Sequence, residues 1–424
     1  MTTATPEGVR SPDPAVEAYN ASFDDRVASV LRAAARTVPA LAGRLQAAGL
    51  EAEDLTGVAV LDRLPVLSKD DLLDLQAQDP PFGGLLSPGA VVRRIFQSPG
   101  PLYEPEPDVD DHWRMAPALE AAGFSGDDTV LNCFGYHLTP AGVMFEEAAR
   151  LLGCRVVPAG VGNLELSVRA ARDVRATAYI GLPSYLKALL ERAEETDGQG
   201  LRFRRAVVTA EPLPPSLRSW LEERVPTVRQ MYGTAETGNL GYECAETNGL
   251  HVPDDALVQV CALEDGRPRF DGGEGQVVVT LFSKEYPLVR LGTGDLSAFA
   301  PGGCPCGRPT PRLVGWLGRV GEAVKVRGMF LHPRQVTEVM DRVSGVAAYR
   351  FVIDRVDHRD VLRCEVVPGA AGERSGEVAE GEDDALVWTV RQAVRSGLRF
   401  DVDVTVVPTL DGDAPPIIDL RTWD

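Results

Sequence analysis

From residue 91 to residue 291 short β-rich runs alternate with helical ones, and that alternation limits the fold more than any other feature of the chain. The pairs are 129–134 then 141–152, 155–158 then 164–173, 178–182 then 185–196, and 205–209 then 215–224. Strand followed by helix at that spacing is the βαβ pattern, in which helices cover a largely parallel sheet. Upstream, residues 15–50 repeat apolar side chains (Val27, Val30, Leu31, Ala34, Val38) at helical spacing, and Ser68 is placed to cap a short helix starting at Lys69. Downstream, β-rich stretches at 257–261 and 275–282 lead to a Gly-rich turn at 291–296. After Arg319 the pattern becomes a smaller α+β unit: strand 324–326, helix 333–343, strands 349–353 and 361–367, helix 384–396 and strand 402–408, with a Gly/Glu-rich loop at 369–382. A chain of 424 residues exceeds what one hydrophobic core sustains, so two domains are expected, 1–320 and 321–424.

Charge narrows the function classes. Asp plus Glu number 62 against 43 Lys plus Arg, a net charge of −19, and a field of that sign repels nucleic-acid phosphates and anionic lipid. Neither a nucleic acid nor a membrane surface is therefore an expected partner. No run is long and apolar enough to span a bilayer, and the polar N-terminus lacks a signal core, so the expectation is a soluble cytoplasmic protein. Within the basic set only Lys69, Lys187, Lys284 and Lys325 are lysines, so chemistry that needs an ammonium has few candidates.

Seven cysteines, an odd number spread over a long chain, argue for reduced thiols over a disulfide framework. Cys244 and His251 are followed by the tight knuckle Gly303-Cys304-Pro305-Cys306-Gly307. Three thiolates and one imidazole make a closed tetrahedral set, which predicts a structural zinc ion with no open position for substrate water. Cys133, Cys154, Cys261 and Cys364 show that isolated cysteines are ordinary here, so four unrelated residues is the competing account. His251 also begins an H-x-x-x-D stretch ending at Asp255, a weak acyltransferase-like match that conflicts with a metal role.

Three further segments carry chemistry when taken together: Met231-Tyr232-Gly233-Thr234-Ala235-Glu236-Thr237-Gly238, Arg290-Leu291-Gly292-Thr293-Gly294-Asp295-Leu296, and Gly318-Arg319 through Lys325-Val326-Arg327-Gly328. In this order and spacing they resemble the core motifs of the adenylate-forming superfamily. The segment 64–72, the turn Ala210-Glu211-Pro212-Leu213 and the Cys/His set narrow the resemblance to the phenylacetate-CoA ligase and coenzyme F390 synthetase-like branch. The resemblance implies an α/β adenylate-forming fold, with a large N-terminal AMP-binding-like domain and a small C-terminal α+β lid that turns about Gly321. It also implies a two-step reaction, in which a carboxylate attacks ATP to give acyl-AMP and a thiol then displaces AMP. In that frame Asp295 accepts ribose hydroxyls and Arg319 holds the ribose side. Glu236 ligates Mg²⁺, Tyr232 and Gly233 line the adenine side, and the backbone at Ala210, Glu211 and Pro212 reads the adenine edge. Tyr136, His137 and Pro140 fall where the branch lines its acyl pocket. Taken singly, Asp295 could be a turn-former, Glu236 a solvated charge and His137 a core histidine. The implied partners are a small carboxylic acid or acyl thioester, with AMP or ATP·Mg²⁺ and with CoA or an acyl carrier protein; a homodimer is left open.

Two segments depart from the family. The phosphate loop, approximately S-S-G-T-T-G-K-P, is here Ser98-Pro99-Gly100-Pro101-Leu102-Tyr103-Glu104-Pro105: prolines remove N–H donors and Glu104 stands at the lysine position. The ending Asp419-Leu420-Arg421 is kept, but the catalytic-lysine position reads Asp413, and no lysine follows Lys325. Arg421 is the only cation of that terminal segment and no automatic stand-in for an ammonium; Arg421 or Lys325 is what could take over for the expected cations. Three readings follow: a ligase with an altered ATP site acting on a small aromatic or acyl acid, an ATP-independent acyl-thioester transferase or hydrolase, and a non-catalytic binding protein.

Overall fold

The computed structural model describes residues 13–98, 101–197, 200–320, 324–327, 329–331, 333–369, 382–410 and 415–422. Two compact units make up the chain, one formed by nearly all residues up to Val320 and the other beginning at residue 321.

The first unit opens with helices between Pro14–Ala21 and Pro39–Ala47 and continues with the helix Lys69–Gln78. An antiparallel hairpin follows, β1 (Val92–Gln97) and β2 (Tyr103–Pro107). The alternation read from the sequence then appears as β3 (Thr129–Asn132), β4 (Arg155–Pro158), β5 (Ala178–Gly181), β6 (Arg205–Val208) and β7 (Thr227–Thr234), with helices Ala141–Leu151, Leu164–Asp173, Pro183–Asp197 and Pro215–Glu222 between successive strands. These five strands are parallel, and the sheet is extended antiparallel by β8 (Gly238–Tyr242), β9 (Leu250–His251) and, later in the chain, β13 (Arg312–Leu313). Its order is β13-β9-β8-β7-β6-β5-β3-β4. β3 and β5 are buried at every position, as covering helices on both faces require. β4 lies on one side of β3, and β5 with the strands after it lies on the other, which makes the carboxyl ends of β3 and β5 a topological switch point where α/β sheets place ligands.

A second sheet, β10 (Ala256–Cys261), β11 (Gly275–Leu281), β12 (Leu291–Ser297) and β14 (Gly318–Arg319), is antiparallel throughout. The N-terminal helices pack on it through Phe23, Leu31, Leu61 and Leu64 against Val258, Val279 and Leu291. Tyr19 stitches the two together, donating to the carbonyl of Ala256 at 2.7 Å and accepting the N–H of Val258 at 3.1 Å. The Gly-rich turn expected at 291–296 is corrected here: those residues form β12, whose register against β11 breaks between Gln276 and Val278. The glycines read as turn formers, but the pairing partners on both sides hold the segment extended.

The second unit has a hairpin, β15 (Val324–Val326) and β16 (Met329–Leu331). It also has a four-stranded sheet of β17 (Val346–Val356), β18 (Arg359–Pro368), β19 (Asp403–Val406) and β20 (Ile417–Asp419), ordered β19-β18-β17-β20. Helices Pro333–Met340 and Glu382–Gly397 cover it, around a core of Val336, Phe351, Cys364, Val390 and Phe400. Gly321, Gly328 and Asp413 lie outside the described residues. Among the described residues no helix is long and apolar enough to cross a membrane.

Candidate functional site

Asp295 is the centre of a buried polar cluster of the first unit. The β12–β14 pairing sets Asp295 opposite Arg319, whose Nε donates to Oδ1 at 3.0 Å. The indole of Trp316 donates to the same oxygen at 3.1 Å, and the Tyr232 hydroxyl at the end of β7 donates to Oδ2 at 2.9 Å. Three donors on a carboxylate with roughly four acceptor sites leave one for a ligand hydroxyl. Burial, then the Asp295 charge, keeps the Tyr232 hydroxyl far above its usual range, so it stays a donor.

Glu236 lies in the turn between β7 and β8, which is closed by the Thr234 and Thr237 hydroxyls 2.8 Å apart. The turn needs glycine at its end: Gly238 has φ +70°, and a Cβ there would lie 2.2 Å from the carbonyl oxygen of Trp113. The Glu236 carboxylate receives the Lys69 ammonium at 2.6 Å. Lys69 is delivered by the first turn of its helix, whose start is locked by Ser68 and Asp71 in a reciprocal cap. Two turns on, Gln76 binds both backbone groups of Tyr103, at 2.9 Å to N–H and 2.7 Å to C=O, and so fixes the start of β2.

The next residue, Glu104, is 4% exposed, and neither carboxylate oxygen has a hydrogen-bond partner. Burial first, and the nearby Glu236 second, push its pKa up to about 8, with Ser98 and Lys69 only partly opposing. Glu236 moves the other way: burial would raise it, but the Lys69 charge, together with hydrogen bonds from Lys69, Thr234 and the backbone, lowers it. One carboxyl favouring its proton beside another favouring its charge is the usual outcome for two acids sharing one cation.

The proposed acyl loop follows β3. Asn132 donates to the Tyr136 hydroxyl and to the carbonyl of Gly142, both at 2.8 Å. Position 142 must be glycine for this, since a Cβ would meet the Tyr136 ring at 2.7 Å. Tyr136 is half-buried, Pro140 is buried at the start of the helix Ala141–Leu151, and His137 is exposed, which excludes the core-histidine account. The N–H of Gln97 donates to the carbonyl of Leu138 at 2.8 Å, tying this loop to the β1–β2 hairpin. At the end of β6, Ala210 has φ +69°, a strained conformation for a residue with a Cβ. Glu211 accepts from the Ser184 hydroxyl at 2.6 Å, so its side chain braces the β5 loop while Ala210–Pro212 keeps its backbone at the carboxyl ends of the strands.

Cys244, His251, Cys304 and Cys306 converge, with their ligand atoms all within 4.8 Å of one another. Cys244 and Cys304 sulfurs are 3.6 Å apart, and Cys306 Sγ is 3.3 Å from His251 Nε2. A tetrahedral zinc with Zn–S near 2.3 Å separates its sulfurs by about 3.8 Å, so the donor set fits that ion. His251 Nδ1 faces the Thr310 carbonyl at 3.2 Å, which selects the tautomer with Nε2 free to ligate. Against burial, the Arg308 backbone N–H and neighbouring side chains bring the Cys306 thiol down to about 7, toward the thiolate a metal takes. His251 turned to the sulfurs, and not to Asp255, leaves no acyltransferase pair.

In the second unit Arg421 is committed to structure. Its side chain is 3% exposed, bonds Asp419 through Nε at 2.8 Å and Nη2 at 2.7 Å, and reaches Asp360 at 2.9 Å and the Lys325 carbonyl at 2.7 Å. Its guanidinium is therefore held within the second unit by these carboxylates. Lys325 is half-buried on β15. Sequence reasoning missed Trp316, Gln76 and the role of Lys69; the scarcity of lysines was the one available signal for the last.

Residues 109–280 match the family described as AMP-binding enzyme. The chain is similar to a phenylacetate-coenzyme A ligase of Escherichia coli (strain K12), 28% identical over 96% of each chain, and to one of Thermus thermophilus, 29% identical over 94% of each. It shares its fold with a 2-hydroxyisobutyryl-CoA ligase solved with 2-HIB-AMP and CoA, at 22% identity and a TM-score of 0.86 over 99% of this chain and 94% of that one. The AMP-binding match and the similarity to phenylacetate-coenzyme A ligases across nearly the whole length support placing this chain in the adenylate-forming superfamily, in its phenylacetate-CoA ligase branch.

Proposed function

We propose that this protein is an acid–thiol ligase-like enzyme that handles a small aromatic or acyl carboxylate as its adenylate and its CoA thioester. The observation that carries the reading is the Asp295 cluster, in which Tyr232, Trp316 and Arg319 hold one buried carboxylate with an acceptor site left for a ribose hydroxyl. Asp295 and Arg319 would orient the nucleotide, and the uncharged loop around Tyr136 and Pro140 would receive the acyl group. Mg²⁺ arriving with a nucleotide would be held by Glu236, whose buried Oε2 has no hydrogen-bond partner, and would neutralise phosphate charge there. CoA is the acceptor that the relatives favour; an acyl carrier protein is the other thiol of the same chemistry.

Zinc is proposed for the Cys244, His251, Cys304 and Cys306 set, as a structural ion, because all four positions of a tetrahedron are filled by protein. None of the seven cysteines is in a disulfide, which supports a reducing, cytoplasmic setting.

The test is thioester formation. Synthetic aryl- and short acyl-adenylates are supplied with CoA, and the same acids with MgATP and CoA, while thioester is followed chromatographically. Turnover with at least one acyl group is expected, and Asp295→Ala should lower it by about 10²-fold or more through lost orientation. Silence from every adenylate and every acid would overturn the reading in favour of a binding protein.

A further inference from the structure

Three features of the first unit bear on which nucleotide it accepts. The first is the inventory of amides around the β1–β2 turn. Ser98 N–H donates to the Leu102 carbonyl at 3.0 Å, Gln97 N–H to Leu138, and Tyr103 N–H to the side chain of Gln76. Residues 99, 101 and 105 are prolines and have no N–H to offer. A polyphosphate cradle is made of backbone N–H groups pointing into a concavity; here three positions of the stretch are prolines, and the amides of Gln97, Ser98 and Tyr103 are engaged within the protein.

The second feature is charge. Glu104 is buried at the start of β2 with both oxygens unpartnered, and the adjacent ammonium, Lys69, is paired with Glu236 at 2.6 Å. Protonated, Glu104 brings no positive charge to a β- or γ-phosphate; ionised, it repels one. The third feature is contrast: the Asp295, Tyr232, Trp316 and Arg319 cluster, which serves the nucleoside end, is completely assembled.

We propose that this pocket takes an acyl-adenylate, the mixed anhydride of a carboxylic acid with a nucleoside monophosphate, and rejects the nucleoside triphosphate, so that the protein carries out only the thioester-forming half of a ligase reaction. The proposal rests on the adenylate reading above and sharpens it. The thiol sulfur attacks the acyl carbon, and the C–S bond forms as the C–O bond to phosphate breaks. AMP leaves with that electron pair, and the thiol proton passes to water. No further reactant is needed. The class of reaction that must supply the substrate is ATP-dependent adenylation of a carboxylic acid by a separate enzyme.

Calorimetry on the intact protein with AMP, MgATP and a non-hydrolysable acyl-sulfamoyl adenosine tests it. The analogue and AMP are expected to bind, with MgATP weaker than AMP by about tenfold or more. Glu104→Lys should raise the affinity for MgATP relative to AMP by about tenfold, and where the lysine variant fails to fold the shape-conserving Glu104→Gln should raise it by roughly threefold at about pH 9, where Glu104 is ionised. The proposal is overturned if MgATP binds the native protein as tightly as AMP, if neither variant moves the ratio, or if acid plus MgATP releases pyrophosphate as fast as acyl-adenylate forms thioester. In those cases a bound analogue leaves the adenylate reading standing. Failure of both the analogue and AMP to bind overturns that reading and this proposal together.

Discussion

Burial keeps His112 neutral. The ring packs edge-on to Trp113 at 5.1 Å, and burial first, with Arg114 second, pulls its pKa down to about 4. Because the folded value lies below the unfolded one of about 6.5, the unfolded chain binds the extra proton between the two, and stability drops as pH falls through that window. The adjacent Asp111 works the opposite way: burial raises it to about 6, so its contribution is lost as pH rises through that value. Comparing native protein with His112→Gln cancels Asp111. The stability difference between them should fall by about 2 kcal/mol from pH 7 to pH 5, measured by urea unfolding; a flat difference would contradict the burial. Among the candidate residues, Asp295 and Glu236 were legible because each sits in a motif, and Glu104 because it breaks one. Trp316 was not, since its role depends on a strand pairing that brings a residue 21 positions away onto the same carboxylate.

Among the elements, the β7–β8 turn is where local sequence and tertiary packing meet most sharply. Trp113 accepts the Asn239 N–H at 2.9 Å, Arg114 bonds the Thr237 carbonyl, and Gly238 lies between them with no space for a methyl group. Gly238→Ala is expected to cost at least about 2 kcal/mol and to disturb the Lys69–Glu236 pair, lowering turnover as well as the unfolding midpoint. An unchanged midpoint would show that the turn relaxes freely. The parallel strands and their helices follow from apolar periodicity within a few residues. β12 does not: Gly292 and Gly294 spell a turn locally, and only β11 on one side and β14 on the other hold the segment as a strand.

Across the first unit as a whole, the Cys/His set ties together parts of the chain that are far apart in sequence. Cys244 follows β8, His251 lies in β9, and Cys304 and Cys306 precede β13. If zinc fills this set, elemental analysis finds about one zinc per chain, and chelation lowers the unfolding midpoint by on the order of 5–10 °C. Cys304→Ser should do the same while changing substrate constants little, because a closed site supports the fold and leaves no open position for substrate. Protein free of zinc with an undiminished midpoint would refute the assignment.

The fold class, the strand–helix order and the grouping of four metal-type ligands could all be read from the order of residues, because periodicity and short motifs are local and survive without coordinates. The prolines and Glu104 of the 98–105 stretch are equally plain in the sequence. What surrounds Glu104 could not be read there, because it is assembled by the fold. Lys69 and Glu236 are 167 positions apart, yet they form the ion pair beside Glu104, and Gln76 takes the amide of Tyr103 from another element. Arg421 looked like a spare cation until the second unit's sheet closed Asp360 and Asp419 around it. Charge at a site is the sum over groups that the fold assembles at distances of a few ångströms, and that sum has no counterpart in the order of residues along the chain.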